Sequence, residues 1–165
     1  MSAFLVDTNV AVVANEKSEH ADLTCVLACI QALREVTTQG LVLLDDANTI
    51  LREYRRRLSL SGQPGMGDMF LKWVHDRQAT PEFCQIIHIT PTEGSEENYV
   101  EFPADERLQG FDRSDRKFVA VALASGMEPE ILNAVDSDWA QYDAALQDAG
   151  LHIRYLCPQH VSPRG

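Results

Sequence analysis

Ala3-Phe4-Leu5-Val6-Asp7-Thr8-Asn9 is four uninterrupted apolar residues that stop at an acid. A strand exposed on one face alternates apolar and polar side chains. An unbroken run marks a strand covered on both faces, as in a parallel sheet. The same design returns along the chain. Leu41 to Leu44, Cys84 to Ile89, Glu130 to Val135 and His152 to Leu156 read as further strands.

Helical periods lie between these runs. A short helix follows Asn9. Leu23, Val26, Leu27, Ile30 and Leu33 recur at helical spacing between Ala21 and Val36, and Gly40 stops that helix. Asp45-Asp46 offers an N-cap, with Asp46 preferred, for a helix from Ala47 to about Leu58. Ser61 to Gly67 reads as a loop and Met69 to His75 as a helix. Thr90 to Gln109 holds two prolines and Glu93, Glu96, Glu97 and Glu101. It reads as an acidic surface loop with one ordered stretch near Tyr99 to Phe102. Arg116 to Ser125 is a strong helix closed by Gly126. Asp136-Ser137-Asp138 caps a last helix to Asp148, ended by Gly150. Alternating strands and helices predict a single α/β domain over residues 1–160, three-layered around a mainly parallel sheet. Residues 161–165 are expected to be a flexible tail.

The chain has 165 residues and a formal net charge of −11. A domain of this size buries about 70% of its unfolded surface, so it needs no disulfide to hold a core. Cys25, Cys29, Cys84 and Cys157 form no C-x-x-C pair and match no usual zinc spacing. Cys25 and Cys29, four apart in an apolar helix, are expected to be buried thiols on one face. With no signal segment at the start and no run long enough to span a membrane, the cytoplasm is the expected compartment. The net charge argues against broad adhesion to nucleic acid. It does not exclude a nucleic-acid enzyme, because metal sites for phosphoryl chemistry gather acids.

The placement of the acids carries the functional reading. In open parallel sheets, ligands bind outside the carboxyl ends of the strands. Asp7 directly follows the first strand and Asp136 follows the strand from Glu130. Asp115 opens the helix from Arg116, and Glu53 lies in the helix after Leu41–Leu44. Taken singly, each Asp is a helix cap and Glu53 an ordinary surface residue. Jointly, they are placed to meet at one sheet edge.

In this order the pieces Phe4-Leu-Val-Asp7-Thr-Asn9, Leu51-Arg-Glu53-Tyr, Asp115-Arg-Lys-Phe-Val-Ala-Val-Ala122 and Asn133-Ala-Val-Asp136-Ser-Asp138-Trp139 resemble the PIN-domain nucleases. The likeness spans Phe4 to Leu156. It departs from the compact toxin-type members in the long acidic stretch Thr90–Gln109 and the pair Asp112-x-x-Asp115. The resemblance implies a PIN-like fold and a metal-dependent ribonuclease that hydrolyses phosphodiesters with activated water. Asp7, Asp115 and Asp136 would be primary ligands to one or two Mg²⁺ or Mn²⁺ ions. Glu53 would bind directly or through water, and Asp138 would be an outer ligand. Hard cations prefer such oxygen donors. Asn9 and Ser137 would support the site, and Asp112 would be the helix cap. Arg52, Arg56, Arg113, Arg116 and Lys117 are expected along the substrate backbone. RNA is the expected substrate. A protein antitoxin or regulator and a homodimer are the partners to look for, the toxin of a toxin–antitoxin pair being one such setting. A catalytically idle scaffold of the same fold and a phosphohydrolase acting on small substrates stay open beside it. Trp73 and Trp139 read as packing residues.

Overall fold

A computed structural model describes residues 2–95 and 97–161. Ser162 to Gly165, expected to fray, and Glu96 of the acidic stretch lie outside the described residues.

Among the described residues the sheet has five strands: β1 (Ser2–Val6), β2 (Gly40–Asp45), β3 (Cys84–Ile87), β4 (Glu130–Asn133) and β5 (His152–Tyr155). All pairs are parallel, in the order β3-β2-β1-β4-β5. The helices are α1 (Thr8–Ala14), α2 (Leu23–Gln39), α3 (Thr49–Arg57), α4 (Met66–Arg77), α5 (Arg116–Ser125), α6 (Ser137–Gln141) and α7 (Asp143–Asp148). They form the outer layers of a three-layer α/β domain. Phe4, Leu5 and Val6 are buried, as are all six residues of β2, which is why both segments lack polar alternation.

This strand order places the site. From β1 the chain builds outward through β2 to β3, then crosses back to lay β4 against the other edge of β1. The direction reverses between β1 and β4, and the connections that leave those two strands run to opposite sides, which is where such sheets form a crevice. The Asp7 amide donates to the Leu132 carbonyl at 3.1 Å, carrying the β1–β4 ladder up to the acid.

Several boundaries differ from the sequence expectation. α2 continues to Gln39, and β2 begins at once with Gly40. A Cβ there would lie 2.6 Å from the Phe4 ring, so the glycine lets helix and strand meet closely. α4 begins at Met66, inside the stretch read as a loop. Asp68 accepts from the amides of Gly65 (3.0 Å) and Ser59 (2.7 Å) and from Asn15 Nδ2 (2.9 Å), fastening that start to the end of α1. The expected helix from Asp136 to Asp148 breaks at Tyr142 into α6 and α7.

Asp46 does not cap α3. The fully buried Asp45 does, accepting from the amides of Thr49 and Ile50, both at 2.9 Å, and from the Thr49 hydroxyl at 2.7 Å. Asp46 pairs with His88 instead. The acidic stretch after Thr90 is also more ordered than expected. Pro91 bridges Tyr99, and Tyr99, Phe102 and Leu108 are buried. Phe102 stacks on Phe111, which meets Trp139 edge-on.

The cysteines require a correction. Cys25 is not a free thiol: it forms a disulfide with Cys157, 132 residues away. Cys29 and Cys84 are free and buried, and burial pushes their thiols up to about 12 and about 11. Among the described residues, no helix is long and apolar enough to cross a membrane.

Candidate metal centre

Asp7, Asp115 and Asp136 come together at the β1–β4 crevice. One carboxylate oxygen from each lies within 4.8 Å of the others. Asp7 and Asp115 are 5% and 6% exposed, which is unusual for acids without basic partners. Each residue reaches this point for a local reason. Asp7 caps α1, its Oδ1 accepting from the Asn9 amide at 3.1 Å. Its Oδ2 accepts from the indole of the fully buried Trp139 at 2.8 Å. Asp136 caps α6 through the Asp138 amide at 2.9 Å. Asp112 caps the 3₁₀ turn Arg113–Asp115 through the Ser114 amide. Asp115, at the head of α5, makes no capping bond and turns into the cluster.

The cost of this arrangement falls on the carboxyl groups. Burial pushes Asp7 up to about 7, against the opposing pull of the Asn9 and Trp139 donors, and the charges of Asp136 and Glu53 add to the rise. Burial pushes Asp115 up to about 10, helped by the charge of Asp7 and by its hydrogen bond with Asp136. Like charges in a poorly solvated crevice retain protons unless a cation is present.

Glu53 is not brought into this trio. It lines the same cleft, but its carboxylate is occupied: Lys117 Nζ donates to it at 3.0 Å, and the Thr8 hydroxyl donates to the other oxygen. The Lys117 ammonium also donates to the Ser114 carbonyl, tying α3 to the Asp115 turn. Asp138 also lies outside the trio, with burial and the charges of Asp136 and Asp112 raising its carboxyl. Ser137 is exposed and makes no side-chain hydrogen bond among the described residues. Asn9 lines the cleft and is held in place beside the trio. Its Nδ2 donates to Asn133 Oδ1 at 2.8 Å, and its Oδ1 accepts from the Ala134 amide at 2.8 Å.

Asn133, fully buried, was not singled out in the sequence. It bonds the Asp136 backbone in both directions and holds the turn that presents Asp136. An amide ending an apolar strand, directly before the acid, was the available signal. The role of Trp139 as a donor to Asp7 left no local signal, because the pair is 132 residues apart.

The cleft over the three acids has a volume of about 510 Å³ and is also lined by Lys17, His20 and Arg57. A second groove, about 740 Å³, runs between α3 and the 91–99 loop. Arg52, Arg56, Arg113 and Lys117 line it, with Glu97 as the acid among its described residues. The two concavities adjoin at the Lys117–Glu53 pair. Arg116 does not belong to this surface. It is buried, its guanidinium donating to the carbonyls of Phe111 and Gln109 and to Asn98 Oδ1 while lying over the Phe102 ring. It fastens the 98–111 segment to α5.

Compared with known proteins, the chain matches no family model, no curated protein and no solved structure.

Proposed function

We propose that this chain is a metal-dependent nuclease of the PIN type that hydrolyses RNA phosphodiesters at the Asp7–Asp115–Asp136 cluster. The observation that carries this reading is the convergence of two buried carboxylates, Asp7 and Asp115, and the half-buried Asp136 at the topological switch point, with no basic partner among them in the described residues. The donor set is all oxygen, which suits Mg²⁺ or Mn²⁺ better than softer ions. When bound, such an ion supplies charge neutralisation at phosphoryl oxygens and lowers the pKa of water.

The chain's own residues do the rest. Trp139 and Asn9 fix both oxygens of Asp7, so the carboxylate does not rotate. Asn9 and Asn133 hold the Asp136 turn against β4. Lys117 and Thr8 lock Glu53 on the cleft wall, from which it positions water. Lys17 and Arg57 at the rim attract a phosphate toward an otherwise acidic cleft. The same reading puts the protein in the cytoplasm, with its RNA substrate.

Mn²⁺ titration by calorimetry tests the centre. Wild type should bind, and Asp136→Asn should bind about 100-fold or more weakly, since changes one shell further out already cost 10–100-fold. RNA cleavage should stop in chelator and leave 5′-phosphate and 3′-hydroxyl ends. Unchanged affinity in the variant, or 2′,3′-cyclic phosphate ends, contradicts the mechanism; binding of RNA without cleavage favours the idle scaffold.

The groove along α3 is the proposed path of the RNA backbone, with Arg52, Arg56 and Arg113 contacting phosphates. Arg52→Glu/Arg56→Glu should weaken RNA binding at low salt. It should also flatten the salt dependence, each lost phosphate contact on a single strand reducing the log–log slope by about 0.7. An unaltered slope, measured by fluorescence anisotropy, would place the strand elsewhere.

A further inference from the structure

Three of the four cysteines meet at one point away from the acids. Cys25 and Cys29 are one turn apart on the same face of α2, and Cys157 follows β5. All three are fully buried, and their sulfurs lie within 4.8 Å of one another. The disulfide engages Cys25 and Cys157, leaving the Cys29 thiol beside it. Three residues after Cys157, on the 3₁₀ turn Pro158–His160, the half-buried His160 directs Nε2 toward a single partner, the Asp22 carboxylate, in an ion pair too long for a good hydrogen bond. Its ring stands at the start of α2, 3.5 Å from the Asp22 carboxylate that caps that helix.

A disulfide accounts for two of these groups. A zinc ion would engage all three sulfurs. We propose that the reduced cluster is a structural zinc site, with Cys25, Cys29 and Cys157 as thiolate ligands and His160, after a rotation of its ring, as the fourth. Thiolates are soft donors that select zinc over the hard cations suited to the acidic centre. Closed sites of three cysteines and one histidine are four-coordinate, with Zn–S distances of about 2.3 Å, which sets the sulfurs about 3.8 Å apart. With all three sulfurs already within 4.8 Å of one another, that spacing requires the Cys25–Cys157 bond to open and those two sulfurs to move apart. Opening takes two electrons and two protons from a small-molecule thiol reductant, two of whose molecules are joined as a disulfide. Zinc then displaces one proton from each of the three thiols. In both forms the same residues fasten the turn after β5 to the first turns of α2.

The full chain, expressed with zinc and purified anaerobically in reductant, tests this. About one zinc per chain should be found by mass spectrometry of the metal. Exchange for Co²⁺ should give the near-ultraviolet sulfur-to-cobalt charge-transfer band, which oxygen ligands at the acidic centre do not produce. Cys29→Ser is the deciding variant, because Cys29 is outside the disulfide. It should lose at least about tenfold in zinc affinity, with Cys84→Ser unchanged. If Cys29→Ser does not fold, His160→Ala should weaken zinc and shift the cobalt spectrum. A reduced wild-type protein with no cobalt–thiolate band, or a folded Cys29→Ser that holds zinc like wild type, overturns the proposal.

Discussion

Asp115→Asn should lower kcat/KM for RNA cleavage in Mn²⁺ by about a thousandfold or more while leaving the fold intact. Removing one well-placed electrostatic group from an active site typically costs about 10²–10³ in rate, or roughly 3–4 kcal/mol. Here the lost group is a full charge. Asp115 is the sharpest choice among the three acids. Its side chain makes no capping bond, whereas Asp7 accepts from Trp139 and Asn9, and Asp136 caps α6. An Asp7→Asn variant would turn an amide NH₂ toward one of two donors and mix a folding defect with a catalytic one. Single-turnover cleavage and circular dichroism on the same preparation separate the two. An Asp115→Asn protein that is folded and retains more than a tenth of wild-type activity would remove the cluster from the chemistry.

In chelator, the wild-type protein should melt lower as pH rises from 6 to 8. Asp7 and Asp115 have folded pKa values above those of an unfolded chain, about 7 and about 10 against 3.8. Between those limits the folded state holds protons that the unfolded state has released. Stability therefore falls as pH rises, by roughly 1.4 kcal/mol per pH unit for each proton held. One such proton over two pH units is worth about 3 kcal/mol, a fall in Tm of about 6–12 °C for a domain of this size. The exposed His88–Asp46 pair acts in the same direction, because the His88 pKa is raised by Asp46. Asp115→Asn separates the contributions: it should flatten the profile and melt above wild type at pH 8, by something on the order of 1 kcal/mol. Mn²⁺ should raise Tm more at pH 8 than at pH 6, since its ligands must first lose their protons. A wild-type Tm that is flat or rising over this range without metal would mean that these carboxyls are not under mutual strain.

What was legible in the sequence followed from local physics. Ala3–Val6 and Leu41–Leu44 announce buried strands because double-sided burial removes polar alternation. Asp7 and Asp136 are legible because each directly follows a strand, whereas the preference for Asp115 over Asp112 rests on the resemblance, through Phe118, Val119 and Ala122 that follow it. What stays hidden in the sequence has a different origin. Asp45 and Asp46 are chemically identical neighbours, and only the pleat of β2 decides which turns inward to cap α3. Glu53 and Lys117 are 64 residues apart, and nothing near Glu53 shows that its charge is already matched. Arg116 and Lys117 both read as surface cations beside an acid, yet α5 carries both inward. Cys25 and Cys157 meet only after the whole sheet has formed. Partners chosen by tertiary folding leave no periodicity to read.

The strand order also has a consequence in time. β1 leaves the ribosome first, and β2 can join one of its edges once Asp45 has been made. The other edge waits for Glu130 to Asn133, while synthesis advances at roughly 5–20 residues per second. For several seconds the future centre of the sheet is an open apolar border, the kind that invites mispairing and chaperone capture. Asp7 spends that interval without Trp139 or Asp136. Any nuclease activity of this chain would therefore be withheld from the nascent polypeptide and appear only when its last third has docked.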